Sequence, residues 1–173
     1  MDKCFLIKVK NDPVFLSFTS FDNLNGTLTL TVKRRFKNYD ILNDCSKLMG
    51  RLKFGLLKNT KFELFDMSDN KINTISYSRD KGQSVISYND YVKKFIYENR
   101  IPHWNKKFKC EVLKFNRSGY KPSKKNFQMA NFRNESILEF GLIDKKMYRL
   151  EYNSEYFTEI EAMSLIVTKF HYI

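Results

Sequence analysis

Four cations crowd into the five residues Lys33-Arg34-Arg35-Phe36-Lys37, and Arg51 and Lys53 follow on a later segment. Arg grips a phosphate bidentately through a planar fork, and Lys offers a mobile point charge. Such residue types suit polyanions in general, whether nucleic acid, a phosphorylated ligand or the anionic face of a membrane. Catalysis finds no comparable support. The chain has no nucleophile motif, no Gly-rich phosphate loop and no metal-ligand spacing, and His103 and His171 have no evident carboxylate partner in sequence. Cys4, Cys45 and Cys110 are odd in number, far apart and without a C-x-x-C pair, which argues against a disulfide framework and a zinc site. The expectation is a non-enzymatic binder that needs no metal or cofactor.

Two segments must position these cations. In Thr27-Leu-Thr-Leu-Thr-Val32, Leu28, Leu30 and Val32 share one parity and the threonines the other, the period of a half-buried strand. If that strand continues, Lys33, Arg35 and Lys37 inherit the outward face and Phe36 the buried one. Arg34 then falls on the apolar parity, so a bulge, a turn or snorkelling of its stem must intervene. In LMGRLKF, Arg51 and Lys53 share one face, with Leu52 and Phe54 on the other. The plainer reading of such a cluster is a strand end kept soluble and guarded from edge pairing by charge.

Lys+Arg number 31 against 19 Asp+Glu in 173 residues, a formal charge of +12. That excess selects polyanionic partners: nucleic acid, phosphorylated ligands or the anionic face of a membrane. Phe and Tyr are abundant while Gly and Pro are sparse, the composition of one packed globular domain and not of a disordered basic tail. The amino-terminal apolar run is interrupted by Lys8 and Lys10, too short for a signal peptide, and no stretch reaches the length of a membrane span. The expected setting is reducing, cytosolic or nuclear, with any membrane met peripherally from the cytoplasmic side.

Short alternating segments recur along the chain. FLIKVK, VFLSF after a turn signal at Asn11-Asp12-Pro13, the stretch after Asn25-Gly26, RFKNYDIL, LMGRLKF, TKFELFD, INTISYS, KCEVLKF, NFQMANF, SILEFGLI and KMYRLEY all read as strands. Two segments depart from the pattern. NDYVKKFIYEN, residues 89–99, spaces Tyr91, Val92, Phe95 and Ile96 as one face of a short helix capped by Asn89 or Asp90. TEIEAMSLIVTKF begins with a capping box, Thr158 and Glu161, and then distributes apolar residues around nearly the whole circumference. A helix apolar all round must be buried on all sides. In an all-β chain the simplest burial is inside a closed antiparallel β-barrel that wraps one central helix, about residues 158–170. A terminal strand over IVTKFHYI is the alternative.

The stretch PHWNKKFKCEVLKFNRSGYKPSKKNFQ resembles the signature region of the carboxyl-terminal domain of the tubby family. Pro102, Trp104, Asn105, Val112, Leu113, Phe115, Asn116, Ser123, Lys125, Asn126, Phe127 and Gln128 fall in register with it, whereas its Gly-Arg pair is blurred at Arg117-Ser118-Gly119. MGRLKFGLLKNTKFELFD is similar to the family's Gly-Lys-Leu-Arg and Gly-Thr-Lys-Phe-x-x-Tyr-Asp segment, with one extra residue before Thr60. NYDI, residues 38–41, resembles Asn-Tyr-Leu-Ile, and Phe140, Gly141, Glu151, Tyr152, Ala162 and Phe170 resemble the end of the domain. The closing Ser-Phe-Asp stands as Lys169-Phe170-His171. The resemblance implies a barrel of twelve strands around a central hydrophobic helix. Between Asp66 and Pro102 the chain is shorter than typical members, so strands or loops are expected to be shortened or missing there, and no amino-terminal extension is expected.

The resemblance also implies binding of phosphoinositide headgroups, chiefly phosphatidylinositol 4,5-bisphosphate, through basic residues on neighbouring strands. Lys33 and Arg35 fall in that basic region, and Arg51 and Lys53 at the Lys and Arg of Gly-Lys-Leu-Arg. Two neighbouring strands would present these four together, with Arg34 and Lys37 beside them. The implied role is a monomeric peripheral module of the plasma membrane that tethers or traffics protein cargo. A nucleic-acid-binding or nuclear protein using the same basic surface is the runner-up, although no recognition helix or RNP1 motif is present.

Overall fold

The computed structural model describes residues 1–11, 16–22, 24–54, 60–80, 83–91, 93–107 and 109–172. The turn read at Asn11-Asp12-Pro13, the extra residue before Thr60 and the apolar Val92 lie partly or wholly outside them. Alternating apolar residues place one side chain in two against a common interior, and the strands that follow are β1 (Lys3–Asn11), β2 (Leu16–Asp22), β3 (Leu28–Arg34), β4 (Asn38–Asn43), β5 (Leu48–Phe54), β6 (Lys61–Phe65), β7 (Lys71–Asp80), β8 (Gln83–Asp90) and β9 (Phe95–Asn99). After them come β10 (His103–Asn105), β11 (Cys110–Val112), β12 (Phe127–Ala130), β13 (Ser136–Asp144), β14 (Met147–Tyr152) and one helix, α1 (Glu159–Tyr172). Twelve strands close an antiparallel barrel in the order β1-β14-β13-β12-β9-β8-β7-β6-β5-β4-β3-β2, and β10 and β11 pair outside it. Closure leaves no edge strand in the main sheet.

The helix runs through the barrel. Thr158 caps it as the sequence predicts: Glu161 Oε2 accepts hydrogen bonds from Thr158 N (2.7 Å) and Oγ1 (2.8 Å). Ala162, Met163, Leu165, Ile166 and Val167 are fully buried against the inward residues of the wall. The polar groups that enter with them find partners. Tyr88 OH donates to Glu161 Oε1 (2.8 Å), Tyr77 OH meets Thr168 Oγ1 (2.8 Å), and Ser20 and Thr29 donate to Glu159 Oε1. Residues 166–172 are helical and not a strand, because a helix satisfies its backbone internally where the surrounding wall has already paired its own.

Residues 89–99 are not a helix. Asn89 and Asp90 end β8, a turn follows in which Lys94 takes φ 58, and β9 begins at Phe95. Asp90 does cap, but it caps the turn, accepting from Lys93 N at 2.8 Å. Among the described residues Tyr91, Phe95 and Ile96 stay exposed and Tyr97 turns inward, so the apparent helical face is the overlap of a turn with a short strand. This strand also resolves the shortened middle. β7, β8 and β9 all lie between Asp66 and Pro102, and the barrel reaches its full count with a compact run of three.

The KCEVLKF segment contributes only β11, after which residues 113–126 cross the outer surface of β12, β13 and β14. The crossing is fixed by Glu139, which accepts from Asn116 N (3.2 Å) and Gln128 Nε2 (2.8 Å), and by Glu151, which takes Arg117 Nε (3.0 Å) and Tyr120 OH (3.0 Å).

Candidate phosphate-binding surface

β3 ends at Arg34, and Arg35 N donates to Asn38 O at 2.7 Å to close a tight turn into β4. The turn explains both parity anomalies of the sequence. Arg34 sits at the open end of the barrel, where its stem emerges into solvent, and Phe36 stands at the tip, 85% exposed instead of buried. Beneath them the barrel mouth is plugged by aromatics. His171 packs on Phe54 with centroids 4.5 Å apart, and its Nδ1 shares a 2.8 Å hydrogen bond with Tyr39 OH. Phe54 is therefore core, and Phe36 is the only apolar side chain of this cluster that reaches out.

The two basic strands are not neighbours, as the sequence suggested, because β4 runs between β3 and β5, and the register aligns their cations across it. Lys33 pairs with Asp40 and Asp40 with Arg51, so β3, β4 and β5 present one outward row. The next row places Asn38 beside Lys53 and Lys53 beside Glu63. Asp40 lies between the two arginines, with Arg35 Nε at 3.1 Å and Arg51 Nε at 3.4 Å. Its side chain is only 15% exposed, against 66% for Arg35 and 48% for Arg51. Lys53 leans away, with Nζ 2.8 Å from Asp69 Oδ1 and 3.9 Å from the centre of the Phe65 ring. Lys37 lies over Phe36 at 5.6 Å. The structure thus brings Lys33, Arg35 and Arg51 together, hangs Arg34 and Lys37 on the turn above them, and diverts Lys53 to one side.

Asp40 is the residue that the sequence reading missed. Its signal was its outward parity between the buried Tyr39 and Ile41, in a segment whose neighbours on both sides were already read as basic. The guanidinium ends of these pairs are exposed, so an incoming phosphate can compete with Asp40 for them. Asp40→Asn removes one negative charge from the row and is expected to raise affinity for anionic vesicles about fivefold, at roughly 1 kcal/mol per charge. Sedimentation of the variant and the wild type with the same vesicles measures this.

Burial first, and the nearby Arg34 charge second, hold the His171 imidazolium below its usual pKa, and burial raises the Tyr39 hydroxyl to about 12. A folded-state pKa below the unfolded one means that the contribution of His171 to stability is whole above about pH 6.5 and lost as pH falls through the depressed value. Wild type is expected to lose more of its Tm between pH 7 and 5 than His171→Phe, read by thermal unfolding at each pH.

The other lysines scatter. Lys121 pairs with Asp144 at 2.8 Å, and Lys106, Lys107 and Lys109 lie in the turn between β10 and β11. A groove of about 730 Å³ opens on the far side of the barrel, between β9 and β12, but its Arg100 is held by Asn134 and it gathers no cation cluster.

A closed twelve-stranded barrel threaded by one apolar helix defines the class of tubby-like domains. The chain belongs to the Tub family, whose model matches residues 70–172. No curated protein matches it. The matched span takes in β7 to α1 and the crossing segment; the basic row on β3 to β5 precedes it.

Proposed function

We propose that the chain is a non-catalytic, peripheral module that binds phosphoinositide headgroups of the bisphosphate type at the cytoplasmic face of the plasma membrane. The observation that carries this reading is the convergence of Lys33, Arg35 and Arg51 on one outward face, with Lys33 on β3, Arg51 on β5 and β4 between them, and with Arg34 and Lys37 on the turn above. Membership of a non-enzymatic family known broadly for phosphoinositide binding supports it. So does the exposure of Phe36 amid the cations, since its ring can enter the interfacial layer while the headgroup is held.

Magnitudes show why a shaped site is needed. Five basic residues near an anionic leaflet supply at most about 5 kcal/mol, an affinity between millimolar and micromolar. Phosphates of one headgroup that reach both Arg35 and Arg51 add directional hydrogen bonds that diffuse charge cannot. In this role the protein acts as a monomer and tethers or delivers a protein cargo. Among the described residues no helix is long and apolar enough to cross a bilayer, and the proposed contact needs none.

Sedimentation with vesicles of equal charge tests the reading, one set carrying phosphatidylinositol 4,5-bisphosphate and the other phosphatidylserine, at near-physiological salt. Preferential binding to the bisphosphate vesicles is expected. Equal binding to both would sink the headgroup reading and move the basic surface towards nucleic acid.

A further inference from the structure

We propose that Lys8, Lys10, Lys145 and Lys146 form a second membrane contact, which takes ordinary anionic phospholipid beside the headgroup held at Lys33, Arg35 and Arg51. The inference rests on the peripheral-membrane reading and extends it to β1 and the β13–β14 turn. Register carries the basic row past β3. Lys33 pairs with Ser17 on β2, and Ser17 with Lys10 on β1, so one outward row runs Lys10, Ser17, Lys33, Asp40, Arg51 across five neighbouring strands. At about 4.8 Å per strand, Lys10 stands about 10 Å along the sheet from Lys33, on the side away from Arg51.

Two residues earlier on β1, Lys8 pairs with Thr19 on one side and with Met147 of β14 on the other. Lys145 and Lys146 make the turn between β13 and β14, and Val9 N donates to Lys146 O at 3.1 Å. All four lysines are exposed, and they share one corner of the barrel. Asp144, where that turn begins, is held by Lys121 Nζ at 2.8 Å. The corner lies at the same end as the arginine row. Tyr39, the second residue of β4, bonds to His171, and Tyr148, the second residue of β14, packs edge-on against Phe170. The β3–β4 and β13–β14 turns therefore both stand where α1 terminates. At the opposite end the turns mix signs: Lys47 follows Asp44, and Lys71 follows Asp66 and Asp69. An anionic leaflet orients a barrel whose positive charge is gathered at one end.

Chemistry divides the two contacts. The corner is built from Lys alone, a hydrated point charge on a flexible stem, without the Arg fork that reads phosphate geometry. Its neighbours on β2 are the hydroxyl residues Ser17 and Thr19. Such a set answers the charge of a leaflet and does not discriminate between headgroups, so its partner is bulk anionic lipid of the phosphatidylserine kind.

The full chain is sedimented with vesicles of phosphatidylserine in neutral lipid, and with phosphatidylinositol 4,5-bisphosphate vesicles of equal charge, at near-physiological salt. Lys10→Gln/Lys145→Gln removes two charges from the corner, and Lys47→Gln/Lys94→Gln removes two from the opposite end. At roughly fivefold per charge, the corner variant is expected to bind both kinds of vesicle about 25-fold more weakly. The opposite-end variant should change by less than about twofold, because a strand of seven residues sets its lysines about 20 Å away, beyond a Debye length of about 8 Å. Both variants replace exposed side chains, so their Tm without vesicles should match the wild type, which checks the fold. The expected loss on both kinds of vesicle supports the corner even where the wild type binds them equally, the result that sinks the headgroup reading. A loss no greater than that of the opposite-end variant, a loss confined to bisphosphate vesicles, or no wild-type binding to phosphatidylserine vesicles overturns the proposal.

Discussion

Lys33→Glu/Arg35→Glu is expected to bind bisphosphate-bearing vesicles about a thousandfold more weakly than the wild type. Each reversal removes one positive charge and adds one negative, and at roughly 1 kcal/mol per charge the four-charge change amounts to about 4 kcal/mol. The loss should exceed that seen with vesicles of equal phosphatidylserine charge, because Arg35 also gives up its fork to the phosphate. Both side chains are exposed near the end of β3, where substitution leaves the core untouched, so the unfolding temperature should fall only by the modest repulsion that the new carboxylates set up with Asp40. A variant that loses binding and also unfolds early would show damage to the fold and not loss of a site. A variant that binds as well as the wild type would remove these residues from the lipid contact.

Gly141→Ala is expected to lower stability by about 3 kcal/mol, or roughly 10 °C in Tm. A Cβ at this position would lie 2.5 Å from Cδ1 and 2.9 Å from Cε1 of Tyr120. The ring has no easy retreat. Phe115 packs on it with centroids 4.3 Å apart, Arg149 lies over it at 5.4 Å, and its hydroxyl donates to Glu151 Oε2 at 3.0 Å. Pushing Tyr120 outward lifts the crossing segment and loosens the bonds that Glu139 and Glu151 make to it. Paired with Tyr120→Ala the same substitution should cost little, since the clash is gone. Equal costs in the two backgrounds would mean that the glycine is there for another reason.

Much of the barrel was legible because a period of two recurs along most of the chain. Leu28, Leu30 and Val32 alternate with threonines and can only be a half-buried strand, and Thr158 with Glu161 announces a helix whose apolar residues face every direction. Burial on all sides then requires a closed wall, which is the architecture observed. Residues 89–99 were misread because Tyr91, Phe95 and Ile96 have helical spacing by coincidence, and spacing carries no record of the positive φ at Lys94 that turns the chain. Gly141 was visible as a match to the tubby pattern, whereas the ring that requires it comes from Tyr120, about twenty residues earlier in the chain. The candidate site was legible as charge and not as geometry. Parity put Arg51 and Lys53 on one face, yet only the register across β4 shows Asp40 between Arg35 and Arg51, and only the turn after β6 brings Asp69 to Lys53. Lys169 was read as a departure from a motif, and its burial beside Lys125 depends on the fold around it.

The most direct test of the lipid-binding account is to titrate soluble inositol 1,4,5-trisphosphate into the labelled chain and follow its backbone amide resonances. The account predicts saturable shifts that are largest from Lys33 to Asp40 and from Arg51 to Lys53, on adjacent strands of one face. Shifts confined to other parts of the barrel, or none at millimolar headgroup, would contradict it.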